Sequence, residues 1–267
     1  MRPNADLYHK QQIADHFNMA ANHYEQHARL QKITGEALIN YFIQKKIPCD
    51  IIADIGSGTS YCTKILTTHF PSTHFIATDI APQMLKNTDT TSYNISKVNA
   101  DFDNLPINNN AVDAIFSNMA LQWSMTLSST LIELNRVLKK NGLLAFAIPG
   151  QNTLHELRTS WQAVDSAPHI NHFYSEQNIK NALALTGFNN IMIEKKIISF
   201  SYPDIFSLLR TIKATGANYV IQRINRGLIK TDFQKLANAY EAFRHPESQT
   251  LPASYEILYV TANKKGN

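Results

Sequence analysis

The sequence predicts an α/β fold: a doubly wound, mostly parallel sheet of seven strands, with an antiparallel last strand and a helical cap inserted before it. Three observations carry this. Short apolar runs alternate with helical patterns between residues 51 and 150, the rhythm of right-handed strand-helix-strand crossovers. The first run, "IIADIGSGTSYCTK", ends in an acid and two glycines before a helix-forming stretch, as ligand-binding crossovers do. After Gly150 the rhythm breaks, and helical stretches intervene before a last strand, "ASYEILYVTAN".

Each element follows from its residues. Helical patterns at about Gln11 to Asn22 and Arg29 to Gln44 come first, and Pro48 ends the second. Ile51 to Ile55 is strand one, and Ser60 is placed to cap a helix from Tyr61 to His69. "THFIATDI" is strand two, "APQMLKNT" opens a helix on its proline, "YNISKVNAD" is strand three and "AVDAIFSN" strand four. "LSSTLIELNRVLKKNG" is an amphipathic helix closed by Asn141 and Gly142, and "LLAFAIPG" is strand five. Helices "TLHELRTSWQAVD" and "EQNIKNALALTG" lead to strand six, "NIMIEKKIISF". Helical stretches at about Asp204 to Thr215 and Asp232 to Arg244 then precede the last strand. The implied division is residues 1–50 as helices covering a cofactor site, 51–200 as the α/β core, 201–252 as the cap, and 253–267 as the last strand and tail.

With 267 residues, 44% of them hydrophobic and 17% charged, the chain has globular composition and can bury one substantial core. No apolar run approaches the ~20 residues of a membrane helix. The first residues carry acids and no apolar signal core, so a cytoplasmic protein without membrane partner is expected. Cys49 and Cys62 are too few and too far apart for a CxxC site and read as buried thiols. His23 and His27 share helical spacing but lack a third ligand, so no metal is expected. Arg210, Lys213, Arg223, Arg226, Lys230 and Lys235 stand against Asp232 alone. This basic stretch is either a solvated face or a dock for something acidic. A nucleic-acid partner is not expected, because aromatic interleaving beyond Tyr219 and an RNA-binding module are both missing.

In open α/β sheets the ligand lies beyond the carboxyl ends of the strands, where this chain has Asp54, Gly56, Gly58, Asp79, Asp101 and Asn118. A dinucleotide fingerprint needs a third small residue where Tyr61 stands, and three acids would repel a pyrophosphate. The acids suit a ligand with an amino group, ribose hydroxyls, a basic ring and a sulfonium charge, which describes S-adenosylmethionine (SAM). Asp54 is set to face its ammonium, Asp79 its ribose hydroxyls and Asp101 its adenine amine, with the amide of Phe102 donating to the ring.

In this order of motifs the chain resembles the class I, Rossmann-like SAM-dependent methyltransferases. That resemblance implies cofactor contacts at Asp54, Gly56, Ser57, Gly58, Asp79, Ile80, Met84, Asp101, Phe102 and Asn118. A narrower one covers almost the whole chain. "FNMAANHYEQHARLQ", "FSNMALQW", "GQNTLHELRTSWQAVD", "HFYS", "YPDIFSLLRTIKATGAN" and "LPASYEILYVTAN" are similar to the malonyl-acyl-carrier-protein O-methyltransferases of biotin synthesis. It implies methyl transfer from SAM, leaving S-adenosylhomocysteine, to the free carboxylate of malonyl-acyl carrier protein or malonyl-CoA. The loop departs from the family pattern at Ser57 and Ser60, with Glu25 and Asn152 as milder changes. A serine at position 60 is costly if the loop needs a positive φ there.

A carboxylate is already ionised at neutral pH, so no general base is expected. Arg210 is the first choice to grip it, Lys213 the second, and Tyr24 and Trp123 wall the transfer pocket. Arg223, Arg226, Lys230 and Lys235 are candidates to meet the acidic carrier. The alternatives are methylation of a quinone ring carbon, esterification of a tricarboxylate, a non-catalytic SAM-binding module and, ranked last, RNA methylation.

Overall fold

The computed structural model describes residues 5–88, 90, 92–221 and 227–266. Seven strands, β1 (Ile51–Ile55), β2 (His74–Asp79), β3 (Ile95–Asn99), β4 (Val112–Asn118), β5 (Leu138–Pro149), β6 (Phe188–Tyr202) and β7 (Leu251–Lys264), form one sheet in the order β3-β2-β1-β4-β5-β7-β6. β1 to β5 pair in parallel, while β7 lies antiparallel between β5 and β6. The order reverses between β1 and β4, which opens a crevice at their carboxyl ends.

The side-chain period of two divides the strands between two cores. On one face α3 (Arg29–Ile43) and α4 (Tyr61–His69) bring Leu38, Phe42 and Leu66 onto Ile52, Phe75 and Phe116. On the other, α6 (Leu127–Val137) and α8 (Glu176–Leu185) bring Leu131, Leu134, Ile179 and Leu183 onto Ile55, Ile115, Leu144 and Phe146. α1 (Ala5–Ala20) packs on α5 (Pro82–Lys86), and the single turn of α2 (Tyr24–His27) links α1 to α3. α1 therefore begins and ends earlier than the sequence pattern suggests.

α6 also stops short of the predicted Asn141. Leu138 is fully buried and pairs as a strand residue with Val112, and a bulge then brings Leu143 opposite Ala114. Strand pairing has overridden local helical preference, and Asn141 takes the left-handed turn (φ 62°) within the bulge.

A third core belongs to the cap. α7 (His155–Trp161), α9 (Ile205–Ala214) and α10 (Lys230–Tyr240) bury Leu157, Trp161, Ile205, Leu208, Leu236 and Tyr240 against Leu251 and Ala253 of β7. The cap thus takes in α7 as well as the stretch after residue 200. The Tyr240 hydroxyl donates to the Pro252 carbonyl at 2.8 Å and ties cap to sheet.

Candidate active site

Beyond β1 the chain turns through three left-handed residues, Gly56 (φ 69°), Gly58 (φ 56°) and Ser60 (φ 61°). A side chain at Gly56 would lie 2.2 Å from the Ala120 Cβ, so β1 and β4 approach closely only because it has none. Gly58 faces open space and its N–H donates to Asp79 Oδ2 at 2.9 Å, while Ala81 N–H donates to Asp79 Oδ1 at 2.8 Å. Ser57 N–H donates to the Thr78 carbonyl at 2.8 Å. Ser60 precedes α4 but makes no side-chain cap; its hydroxyl accepts instead from Thr88 at 2.9 Å.

Asp54 is buried and accepts from the Thr63 hydroxyl at 2.5 Å. Burial raises its pKa to about 7, opposed by the Thr63 bond and aided by the Asp79 charge. Burial also raises Asp79, to about 6, against its two backbone donors. Among the described residues neither group has a cation partner, and both suit a ligand that brings donors and positive charge. Asp101 differs. Lys10 of α1 reaches Asp101 at 2.6 Å and Asp103 at 2.7 Å. Burial lowers the lysine's pKa, but its two carboxylate partners outweigh burial and hold it above the usual value.

Ile80, Met84, Asp101, Phe102 and Asn118 line one narrow crevice with Gly56, Gly58 and Asp79, roofed by Lys10, Ile13 and Phe17 of α1. Asp54 and Ser57 join Gln31, Gly58 and Asn118 in an adjoining recess. All ten residues expected at the cofactor therefore line these two neighbouring spaces. A buried Asn118 Oδ1 and a buried Gln31 Oε1 have no hydrogen-bond partner among the described residues, and Asn118 Nδ2 donates to the Gln31 carbonyl at 2.8 Å. Unpaired acceptors beside an acid are what an ammonium group would satisfy. The residues present fit SAM.

A cavity of about 690 Å³ adjoins the crevice. Phe17, Tyr24, Met119 and Trp123 line both spaces. Met119 holds a positive φ of 53°, which breaks β4 and turns the chain into the short 3₁₀ helix Leu121–Trp123. Burial, with the Asp79 charge behind it, pushes the Tyr24 hydroxyl well above its usual pKa, so it stays protonated. Glu25, next to it, accepts from Thr59 of the glycine loop and pairs with Lys32 at 2.8 Å.

The expected cations separate. Lys213 lines the cavity, but Arg210 does not: its side chain is 71% exposed, donates to Ser207 Oγ at 2.8 Å and lies 4.0 Å from Asp204. Helical geometry explains why: Ile205 and Leu208, three apart, share the buried side of α9, and Arg210, two residues beyond Leu208, lies about 200° further round and points outward. Lys230 and Lys235 are exposed on α10, and Arg223 and Arg226 lie outside the described residues. Sequence reasoning missed Arg29, which lines the cavity 4.8 Å over the Phe200 ring. It also missed Lys10, Phe17, Gln31 and Gln122. The family-like stretches contain Phe17, Arg29, Gln31 and Gln122, but nothing local marks them as facing a site. Among the described residues no group of His, Cys, Asp and Glu is set to hold a metal ion, and no helix is long and apolar enough to cross a membrane.

Residues 53–146 match the methyltransferase-domain family. The fold resembles the YcgJ protein of Bacillus subtilis (TM-score 0.62, 12% identity, 87% of this chain and 100% of that one). It also resembles a putative sarcosine dimethylglycine methyltransferase of Galdieria sulphuraria (TM-score 0.55, 15% identity, 87% and 85%). Fold, motif order and domain match define a SAM-dependent methyltransferase of class I. Across 98% of its length the chain is 32% identical to a malonyl-[acyl-carrier protein] O-methyltransferase of Methylococcus capsulatus, of which it covers 96%. It is 35% identical over 214 residues to one from Dechloromonas aromatica, covering 80% of this chain and 79% of that protein. The chain belongs to the malonyl-[acyl-carrier protein] O-methyltransferase family.

Proposed function

We propose that this enzyme esterifies the free carboxylate of a malonyl group carried as a thioester on acyl carrier protein, an early step of biotin synthesis. The observation that carries the reading is the reach of the family likeness: it spans the cap as well as the SAM core, and the cap builds the 690 Å³ cavity. When bound, SAM supplies a methyl group on a positive sulfur, whose transfer to a carboxylate oxygen yields a methyl ester and a neutral thioether with no proton to move. Asp54, Asn118 and Gln31 would hold the amino-acid end, Asp79 the ribose, and Asp101 with the Phe102 amide the adenine.

The chain's own part is alignment and exclusion of water. Neither Phe17, Tyr24, Met119 nor Trp123 can serve as a base near neutral pH, which suits an acceptor that needs none. His169 lines the cavity but is tied to Asp165 at 2.8 Å and stacked on Trp161 at 3.8 Å, a wall rather than a proton acceptor at the junction. In this reading residues 1–50 cover the cofactor, 51–200 hold it, 201–252 shape the acceptor site and 253–267 complete the sheet.

The test is transfer of labelled methyl from SAM to malonyl-acyl carrier protein, malonyl-CoA and free malonate in parallel. Base-labile label on the carrier-bound substrate is expected, with malonyl-CoA weaker. Labelling of none of the three, while SAM binds, overturns the substrate and leaves another small acceptor.

A further inference from the structure

Arg210, the residue best suited by type to grip a carboxylate, stands outside the cavity. The acceptor oxygen must come within bonding reach of the methyl group, so it must pass the side chains that line both spaces. Those are Phe17, Tyr24, Met119 and Trp123, and none is charged. Two of them carry a donor. The Trp123 indole N–H is buried with no hydrogen-bond partner among the described residues, in a residue only 8% exposed. Leaving such a group unpaired is costly, and it can only donate. The Tyr24 hydroxyl is held protonated by burial and Asp79, and no described side chain hydrogen-bonds it.

We propose that Trp123 Nε1–H and the Tyr24 hydroxyl are the two donors that receive the acceptor's carboxylate at the point of transfer, a neutral clamp in place of a guanidinium. The inference rests on the reading of the acceptor as a carboxylic acid. Neutral donors also suit the chemistry. The carboxylate loses its charge as the ester forms, so a cation would stabilise the starting state more than the transition state and slow the reaction. Two neutral donors orient the oxygens and exact less of that penalty. They discriminate as well: an acetyl thioester offers no carboxylate and leaves both donors unpaired. Lys213 and Arg29, which line the cavity but not the crevice, are left to the rest of the acceptor.

The experiment compares binding of malonyl-pantetheine and acetyl-pantetheine by calorimetry at saturating S-adenosylhomocysteine, in wild type, Trp123→Phe, Tyr24→Phe and Lys213→Ala. Wild type is expected to prefer the malonyl ligand, and each ring variant to lose that preference by about tenfold or more, the scale of a hydrogen bond to a charged group. Acetyl-pantetheine affinity should fall by much less than malonyl-pantetheine affinity, a split that a merely structural role for either ring would not produce. Ring variants that keep the preference while Lys213→Ala erases it overturn the clamp, as does equal loss for both ligands. A wild-type protein with no malonyl preference, and no methyl transfer to malonyl carriers, overturns the substrate reading and the clamp together.

Discussion

Ser60 is where local chemistry and local geometry disagree. It sits in the left-handed region, at φ 61°, which glycine adopts without strain, and a non-glycine residue there costs about 1 kcal/mol or more. Its hydroxyl recovers part of this by accepting from Thr88, which is buried. Ser60→Gly alone is therefore expected to change stability little, since relief of strain is offset by an orphaned Thr88 hydroxyl. Ser60→Gly combined with Thr88→Val should stabilise by about 1 kcal/mol in urea denaturation. Asp54 and Asp79 carry a pH signature. Their folded pKa values, about 7 and about 6, lie above ordinary aspartate, so the fold favours their protonated forms and the stability they contribute is lost as pH rises from about 4 through 7. A ligand that pairs with the ionised forms should bind better over the same window. SAM affinity is expected to rise on the order of tenfold between pH 5.5 and 7.5 and to rise less steeply in Asp54→Asn, which keeps only the Asp79 part; a flat wild-type profile by calorimetry would refute the assignment.

α1 roofs the cofactor crevice through Lys10, Ile13 and Phe17, and the space beneath it measures about 70 Å³. Ligand sites usually run to about 300–1,000 Å³, so α1 is expected to lift as SAM enters, against the Lys10 bridges to Asp101 and Asp103. Lys10→Met should quicken SAM association in stopped-flow fluorescence by about threefold to tenfold, consistent with half-buried pairs of about 1 kcal/mol in all; an unchanged rate would remove α1 from the entry path. α9 makes a second, opposite pair of expectations. Arg210→Ala, on its outer side, should leave KM for malonyl-pantetheine within about twofold, whereas Lys213→Ala should raise KM several-fold with kcat unchanged.

The cap has a core of its own, centred on Leu236 and Tyr240, apart from the two that flank the sheet. Leu236→Ala is expected to cost about 2–4 kcal/mol, as a buried leucine truncation does. Because cap and sheet bury separate clusters, hydrogen exchange should speed first in α7, α9 and α10 while β1, β4 and β5 stay protected. Uniform loss of protection would show that cap and sheet unfold as one unit. β1, β2 and β4 were legible because each combines a buried apolar run with an acid or asparagine at or beside its end. The helix ending at Val137 was not, because Leu138 fits either pattern and only its pairing with Val112 decides. The crevice was legible for the same reason as the strands: topology places their ends together. Lys10 and Arg29 were not, since a lysine and an arginine on helices carry no local mark of the direction they face.

Alternation of apolar runs and helical patterns by itself determined the α/β class and the strand ends that build the cofactor crevice, while the family was carried by the resemblance of whole stretches of sequence. These are properties of period and order, which a chain carries along its length. Only the tertiary structure decided which cation meets the cavity, that Lys10 closes over Asp101, and that Tyr24 and Trp123 line both the crevice and the cavity. Each depends on the direction of one side chain from a helix or turn, set by packing against residues as far as 91 positions away for Lys10 and Asp101.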